Sequence, residues 1–366
     1  MEKTENAFFK RVKKVLSYIF VDGMSGMALG LFATLIIGTI IENVGNLIGG
    51  AVGTYIIIIG QVAKFMMGAG IGLGMGYKLK KAPLVTISAG AVGLLASFAA
   101  TALKEGSIYF LTYNQLTDTY ATSVGEPLTA FIAVFVALEV GALVSGKTKV
   151  DIIVTPLVAI LSGAIVALLL ALPLSDFIAF LRKVVEKAGE QQPFLMGILV
   201  AVLMGVFLTL PISSAAIGVM LQLDGVVAGA AVVGCCCHMV GYAVMSFREN
   251  KWGGLIAQGI GTSMLQMPNL VKKPILWLPP IIASAILGPI SSVALGMTST
   301  PVGSGMGTAG LVGPLATYAT MSGTMSNGVL IAEIVSLYFV APAIISLLID
   351  RLMRHKGWVK PGDMKL

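Results

Sequence analysis

The chain has 366 residues, of which 57% are hydrophobic and only 11% charged. A soluble domain carries about 25% charged residues, so a mean hydropathy of +0.94 excludes that class. The net charge of +7 does not point to nucleic acid, because the basic residues sit between apolar runs: "KRVKK" (10–14), "YKLKK" (77–81), "GKTK" (146–149), "NLVKK" (269–273) and "DRLMRHKGWVK" (350–360). Such clusters mark loops and ends held on the cytoplasmic side of a membrane.

In chain order, residues 1–20 show no cleavable signal peptide and place Phe8, Phe9, Val12, Val15, Leu16 and Ile19 at helical spacing between lysines. That pattern suits an amphipathic helix lying in the interface, or equally an untidy start to the first span. Apolar runs near 20 residues long then recur, and runs of that length read as membrane-crossing helices. They are continuous rather than alternating, which favours helices over a barrel. Spans are expected at 24–47, 52–77, 82–103, 126–146, 151–173, 193–210, 226–246, 274–296 and 328–350. The polar stretch 104–126 nearly lacks positive charge and is placed outside, with both termini in the cytoplasm. The alternation of apolar and charged residues at 174–192 suggests an amphipathic interfacial linker between two halves.

The expected fold is an all-α, multi-spanning membrane protein of about eight to ten transmembrane helices. Its organisation reads as an N-terminal amphipathic helix (1–20), an N-terminal bundle (21–173), the linker (174–192), a C-terminal transmembrane domain (193–350) and a basic tail (351–366). The C-terminal domain is the expected transport domain. Three of its segments, 209–223, 252–270 and 298–318, are too rich in Gly, Pro, Ser and Thr for lipid-facing helices and too apolar for loops. Irregular backbone at membrane depth survives where protein or a wet cavity satisfies its polar groups. These segments therefore read as re-entrant hairpins or broken helices. "PISSAAIG" (211–218) and "PISSVALG" (289–296) match at six positions, and "TPVGSGMG" (300–307) is a looser copy pairing Pro301 with Pro211 and Ser304 with Ser214. Paired Gly/Pro-interrupted segments are the best sequence pointer to a transporter's binding site.

Several motifs have bland readings. "GALVSGKT" (141–148) matches a phosphate-binding loop, but it follows an apolar span rather than a strand, and Lys147 and Lys149 suit a membrane boundary. Gly68, Gly72 and Gly76 share one helix face and Gly70 and Gly74 another, which suits close helix packing. The run Cys235-Cys236-Cys237-His238 holds all three cysteines. Successive helix residues point roughly 100° apart, so three adjacent cysteines cannot converge on one ion, and a structural zinc needs four ligands. The cysteines read as small packing residues, and no metal or cofactor site is expected. Only Cys235 and His238 share a face. An ionisable group inside a span faces the bundle interior or a cavity, so His238 either lines a solute site or donates an inter-helix hydrogen bond. By the same rule Glu42, Lys64, Glu126, Glu139 and Glu333 are candidates for pairing, gating or solute binding, with Glu126-Pro127 an equally good helix cap.

The polar residues of the broken segments, with His238 and Glu333, form the expected substrate site: Ser213, Ser214, His238, Gln266, Asn269, Ser304, Thr308 and Glu333, with Gln222 and Asn327 nearby. Hydroxyls, amides and backbone groups freed by Gly and Pro suit a small, neutral, polar solute. No His/Asp pair is spaced to activate a serine, so no catalytic residue is assigned. Two functions fit: a transporter of a small polar solute, and a ligand-binding membrane sensor or regulator without net transport.

The stretches "QPFLMGILVAVLMGVFLTLPISSAAI", "GCCCHMVGYAVMSFRENKWGGLIAQGIGTSMLQMPNL" and "GPISS…GSGMGTAGLVGPL" resemble the enzyme IIC-like permeases of the bacterial phosphotransferase system, sugar-specific branch, which includes regulators of a pore-forming toxin. The resemblance covers nearly the whole chain. It implies a homodimeric permease of the bacterial cell membrane with re-entrant hairpins and elevator-like alternating access. It also implies soluble IIA and IIB phosphocarrier partners, with a IIB cysteine phosphorylating the sugar during uptake. The chain shows no IIA or IIB domain and its cysteines lie within a span, so it would phosphorylate nothing alone. The Gly-Ile-Thr-Glu-Pro type motif, whose Glu contacts sugar in such permeases, is not visible.

Overall fold

The computed structural model describes residues 14–108, 111–114, 119–122 and 125–366. Most of the amphipathic helix expected at 1–20 lies outside these residues. Among the described residues, six helices are long and apolar enough to cross a membrane: Lys14–Asn46, Pro127–Val144, Asp151–Gly189, Gly225–Met245, Pro274–Ala294 and Asn327–His355. Two bent pairs, Gly50–Phe65 with Met67–Lys78 and Pro83–Ser97 with Ala99–Glu105, raise the count to eight. The apolar run at 193–210 forms the 17-residue helix Pro193–Thr209. Every expected span is thus helical, and the protein is a helical, multi-pass membrane protein.

Two departures stand out. The polar stretch 104–126 holds an antiparallel pair of strands, Leu111–Asn114 with Thr119–Thr122. The expected break near residue 173 is absent, because Asp151–Gly189 is one helix of 39 residues. Its amphipathic end keeps helical spacing, and prolines such as Pro173 are tolerated in membrane helices.

The chain divides into two compact units. The first comprises the described residues up to Thr34 with Met66–Leu172 and Met267–Lys272. Its core is the helix Met67–Lys78. A β-carbon at Gly72 would overlap the Ala89 carbonyl of the helix Pro83–Ser97, and one at Gly74 would overlap the Gly26 carbonyl of the helix Met24–Leu31. Two glycine faces therefore admit two helices at backbone contact, as the spacing predicts. Glu139 is spoken for in this unit: it lies 2.8 Å from Lys81 Nζ and accepts from the Tyr18 hydroxyl at 2.7 Å. Glu126 caps its helix, accepting from Leu128 N at 3.4 Å.

The second unit comprises Leu35–Phe65, Pro173–Gln266 and Lys273–Leu366. Glu42 and Lys64 form an ion pair at 2.5 Å between its two antiparallel helices, Ile37–Ile48 and Gly50–Phe65. The helix Gly225–Met245 is its axis, buried from Ala228 to Ala243. Small residues make that burial possible. β-Carbons at Gly229 and Gly234 would overlap the carbonyls of Met297 and Ala201. On one flank Val232, Val233, Cys236 and Cys237 enter an apolar core with Ala283, Leu287, Met297, Leu330, Leu337 and Tyr338. The tail beyond residue 355 is also ordered. The Met364 carbonyl accepts from Asn250 Nδ2 at 2.8 Å and from Gln266 Nε2 at 3.0 Å, and Lys273 pairs with Asp363 at 2.5 Å.

Candidate solute site

The central helix Gly225–Met245 presents Cys235, His238, Met239 and Tyr242 at spacings that put them on one face. Broken backbone packs against this face from two directions. The first broken segment follows the helix Pro193–Thr209, which stops where Leu210 turns extended ahead of Pro211. A seven-residue helix, Ser214–Met220, follows. The second holds the single turn Pro301–Ser304, capped by Thr300, whose hydroxyl accepts from Gly303 N.

These two segments meet each other. The Ser214 hydroxyl donates to the Gly305 carbonyl at 2.7 Å. Gly218 has no side chain because a β-carbon there would overlap Ser304 Oγ, which itself donates to Pro301 O at 2.7 Å. Cys235 lies beneath the junction, with its thiol 3.5 Å from the carbonyls of both Met204 and Ser304. Thr308 donates to Met239 Sδ at 3.4 Å, one turn further along the same face. The serines aligned in the first and loosest copies of the repeat, Ser214 and Ser304, are thus neighbours. The closer copy, 289–296, behaves differently: it ends a continuous helix as the turn Ile290–Ala294, and Ser292 bonds back to Pro193 O at 3.0 Å.

His238 occupies the space left by Gly205, where a β-carbon would overlap the imidazole. Its Nδ1 lies 3.1 Å from Thr209 Oγ1, which lies 2.8 Å from Ser263 Oγ and 3.1 Å from the Gly205 carbonyl. A hydroxyl donates once and accepts twice. All three contacts are satisfied when Thr209 donates to Gly205 O and accepts from Ser263 and from a protonated Nδ1. In that arrangement Nε2 is the acceptor; it is buried with no hydrogen-bond partner, as is the Tyr242 hydroxyl. Trp277 packs against both rings, at 5.9 and 6.5 Å.

The expected site residues therefore sort into groups. Ser214, Ser304, Thr308 and His238 share the face of the central helix, and the half-buried Ser213 adjoins Ser214. Gln266 is engaged elsewhere, with Gln258 Oε1 at 2.9 Å and the docked tail. Asn269 lies in the other unit. Glu333 lies in a mostly apolar cleft of about 450 Å³ with Leu287, Ile290, Val329 and Leu337. One of its oxygens is buried without a hydrogen bond. Sequence reasoning missed Thr209, Ser263, Trp277 and Tyr242. A helical-wheel extension from Cys235 and His238 reaches Tyr242, but nothing local marks the others.

The cysteines diverge as the helical spacing requires: Cys235 faces the junction, while Cys236 and Cys237 face the apolar core. Among the described residues no group of three or more His, Cys, Asp or Glu could hold a metal ion. The junction thus presents hydroxyls, carbonyls and an imidazole, with no carboxylate or ammonium group among Ser213, Ser214, His238, Ser304 and Thr308. That chemistry complements a neutral polar molecule.

No curated protein matches the sequence. The family model described as "Phosphotransferase system, EIIC" matches residues 21–366, nearly the whole length over which the helices, broken segments and polar junction were traced. The chain belongs to the phosphotransferase-system EIIC family, the membrane permease component of that transport system.

Proposed function

We propose that the protein carries a small, neutral, polar solute, a sugar foremost, by alternating access through the junction of its two broken segments. The observation that supports this reading is the Ser214–Gly305 hydrogen bond, which closes two Gly/Pro-interrupted segments over Cys235, one helical turn from His238. In the closed junction, hydroxyls and carbonyls satisfy one another. A polyhydroxylated solute offers the same donors and acceptors, so it can replace those bonds one for one when the segments part. The proposed contacts are Ser213, Ser214, Ser304 and Thr308 from the segments and His238 Nε2 from the central helix. Glu333, Gln266 and Asn269 stay outside this contact set. The protein works as a homodimer in a bacterial cell membrane, both termini in the cytoplasm, and separate IIA and IIB phosphocarriers supply any phosphorylation.

The test is uptake of a panel of labelled hexoses, pentoses and polyols into proteoliposomes. Saturable uptake of one of them is expected, and Ser214→Ala is expected to change its KM while the protein still assembles. A protein whose melting point rises with a solute but which moves none would replace this reading with that of a membrane sensor.

A further inference from the structure

A second cleft, of about 500 Å³, opens where the central helix Gly225–Met245 ends and the last helix Asn327–His355 runs alongside it. Its walls are Val244, Met245, Phe247, Leu255 and Leu347, and its rim carries Arg248, Arg351, Arg354 and Asp350. Arg354 is already engaged, with Asp350 Oδ2 at 2.7 Å, Glu249 Oε1 at 3.2 Å and the Met245 carbonyl at 3.2 Å. Arg248 and Arg351 are exposed and make no hydrogen bond or ion pair among the described residues. The cleft is therefore cationic at its mouth. Asp350 Oδ1 is buried and has no hydrogen-bond donor, a ready acceptor for a hydroxyl.

The surroundings indicate what fills it. Ile344, Leu348 and Leu352 are exposed on the last helix at spacings of four, forming an apolar stripe that runs to Arg351. Trp252 and Ile256 are exposed on the other side, and Trp is enriched at the membrane–water boundary. A free anion would use the arginines but not the stripe. An acidic protein loop would leave the stripe bare in the bilayer. A lipid uses both: basic pockets between helices at a membrane surface bind anionic headgroups.

We propose that this cleft is a binding site for an anionic glycerophospholipid. Its phosphate lies between Arg248 and Arg351, a headgroup hydroxyl donates to Asp350 Oδ1, and an acyl chain lies along Ile344, Leu348 and Leu352. The bound lipid would brace the end of the central helix against the last helix, on the unit that carries the polar junction.

Native mass spectrometry of the full chain in detergent tests this, with phosphatidylglycerol and phosphatidylcholine added at equal concentration. Phosphatidylcholine carries the same phosphate but a neutralising choline cation, so two arginines at the headgroup are expected to give about a tenfold or larger preference for phosphatidylglycerol. R248Q/R351Q should reduce it to the phosphatidylcholine level with an unchanged elution profile, and R248K/R351K should restore part of it. Equal retention of the two lipids, or a preference surviving R248Q/R351Q, would overturn the proposal. So would displacement of phosphatidylglycerol by millimolar inorganic phosphate, which would mark a free-anion site, or binding of an acidic phosphopeptide in place of lipid.

Discussion

Two buried helices, Met67–Lys78 in the first unit and Gly225–Met245 in the second, solve the same packing problem with different consequences. Both replace side chains with glycine where a neighbour's carbonyl arrives. Around Met67–Lys78 the neighbours are Met24–Leu31 and Pro83–Ser97, whose helical backbones satisfy their own hydrogen bonds. Around Gly225–Met245 some neighbours are broken backbone, whose freed carbonyls need partners. There the side chains of Ser214, Cys235 and Ser304 do what helix geometry does elsewhere. Close packing alone makes a rigid wall, whereas the proposed solute site lies where close packing surrounds broken backbone, whose hydrogen bonds a solute would have to replace.

The largest effect should come from overfilling either helix. Gly72→Leu and Gly234→Leu each drive a side chain into a main-chain carbonyl. Each should cost on the order of 3 kcal/mol, read as a lower melting point or loss of monodisperse protein in detergent. If Gly72→Leu were harmless, the first helix would not be held at backbone contact. Replacing Cys235, Cys236 and Cys237 together with Ala removes three buried sulfurs and should cost on the order of 2 kcal/mol, with assembly and uptake retained. A loss of folding that added metal reverses would contradict the packing role.

Serine truncation sharpens the contrast further. Ser214→Ala leaves the buried Gly305 carbonyl without its donor and should cost about 1–2 kcal/mol. Ser88→Ala in the first unit removes a bond only to Leu84 O in its own helix and should stay within about 0.5 kcal/mol. Equal effects in melting experiments would erase the distinction between the two regions. The smallest effect concerns the tail. Burial works against an ionised Asp363, but the Lys273 ammonium and the Lys360 N–H outweigh it and hold the carboxyl below its ordinary value. A group depressed on folding contributes stability that is present above its unfolded pKa, about 3.9. That contribution is lost as pH falls through the lower folded value. Hydrogen exchange over residues 356–366 should therefore be flat from neutral pH to about 5 once corrected for intrinsic rates. It should speed up only in stronger acid, and Lys273→Ala should bring that loss to higher pH.

Much of the architecture was legible in the residues. The apolar runs announce the spans because a bilayer demands about 20 apolar residues per crossing. The glycines at 68–76 announce two packed faces because helical spacing is periodic. Helical spacing also separates Cys235 from Cys236 and Cys237, since it sends them to different neighbours whatever those neighbours are. The continuity of Asp151–Gly189 was less legible, because a polar, amphipathic end reads the same whether it breaks from a span or extends it.

What the sequence by itself determined is the set of helices, their small-residue faces and the location of the broken backbone, all consequences of local periodicity and of a solvent that cannot hydrogen-bond. What only the tertiary structure decided is which polar group answers which. Ser214 and Gly305 are 91 residues apart, Gln266 and Met364 are 98 apart, and His238 meets Thr209 only because Gly205 leaves room. A freed carbonyl or a lone imidazole specifies that a partner is required but not which one. That identity is set by how the chain folds back on itself.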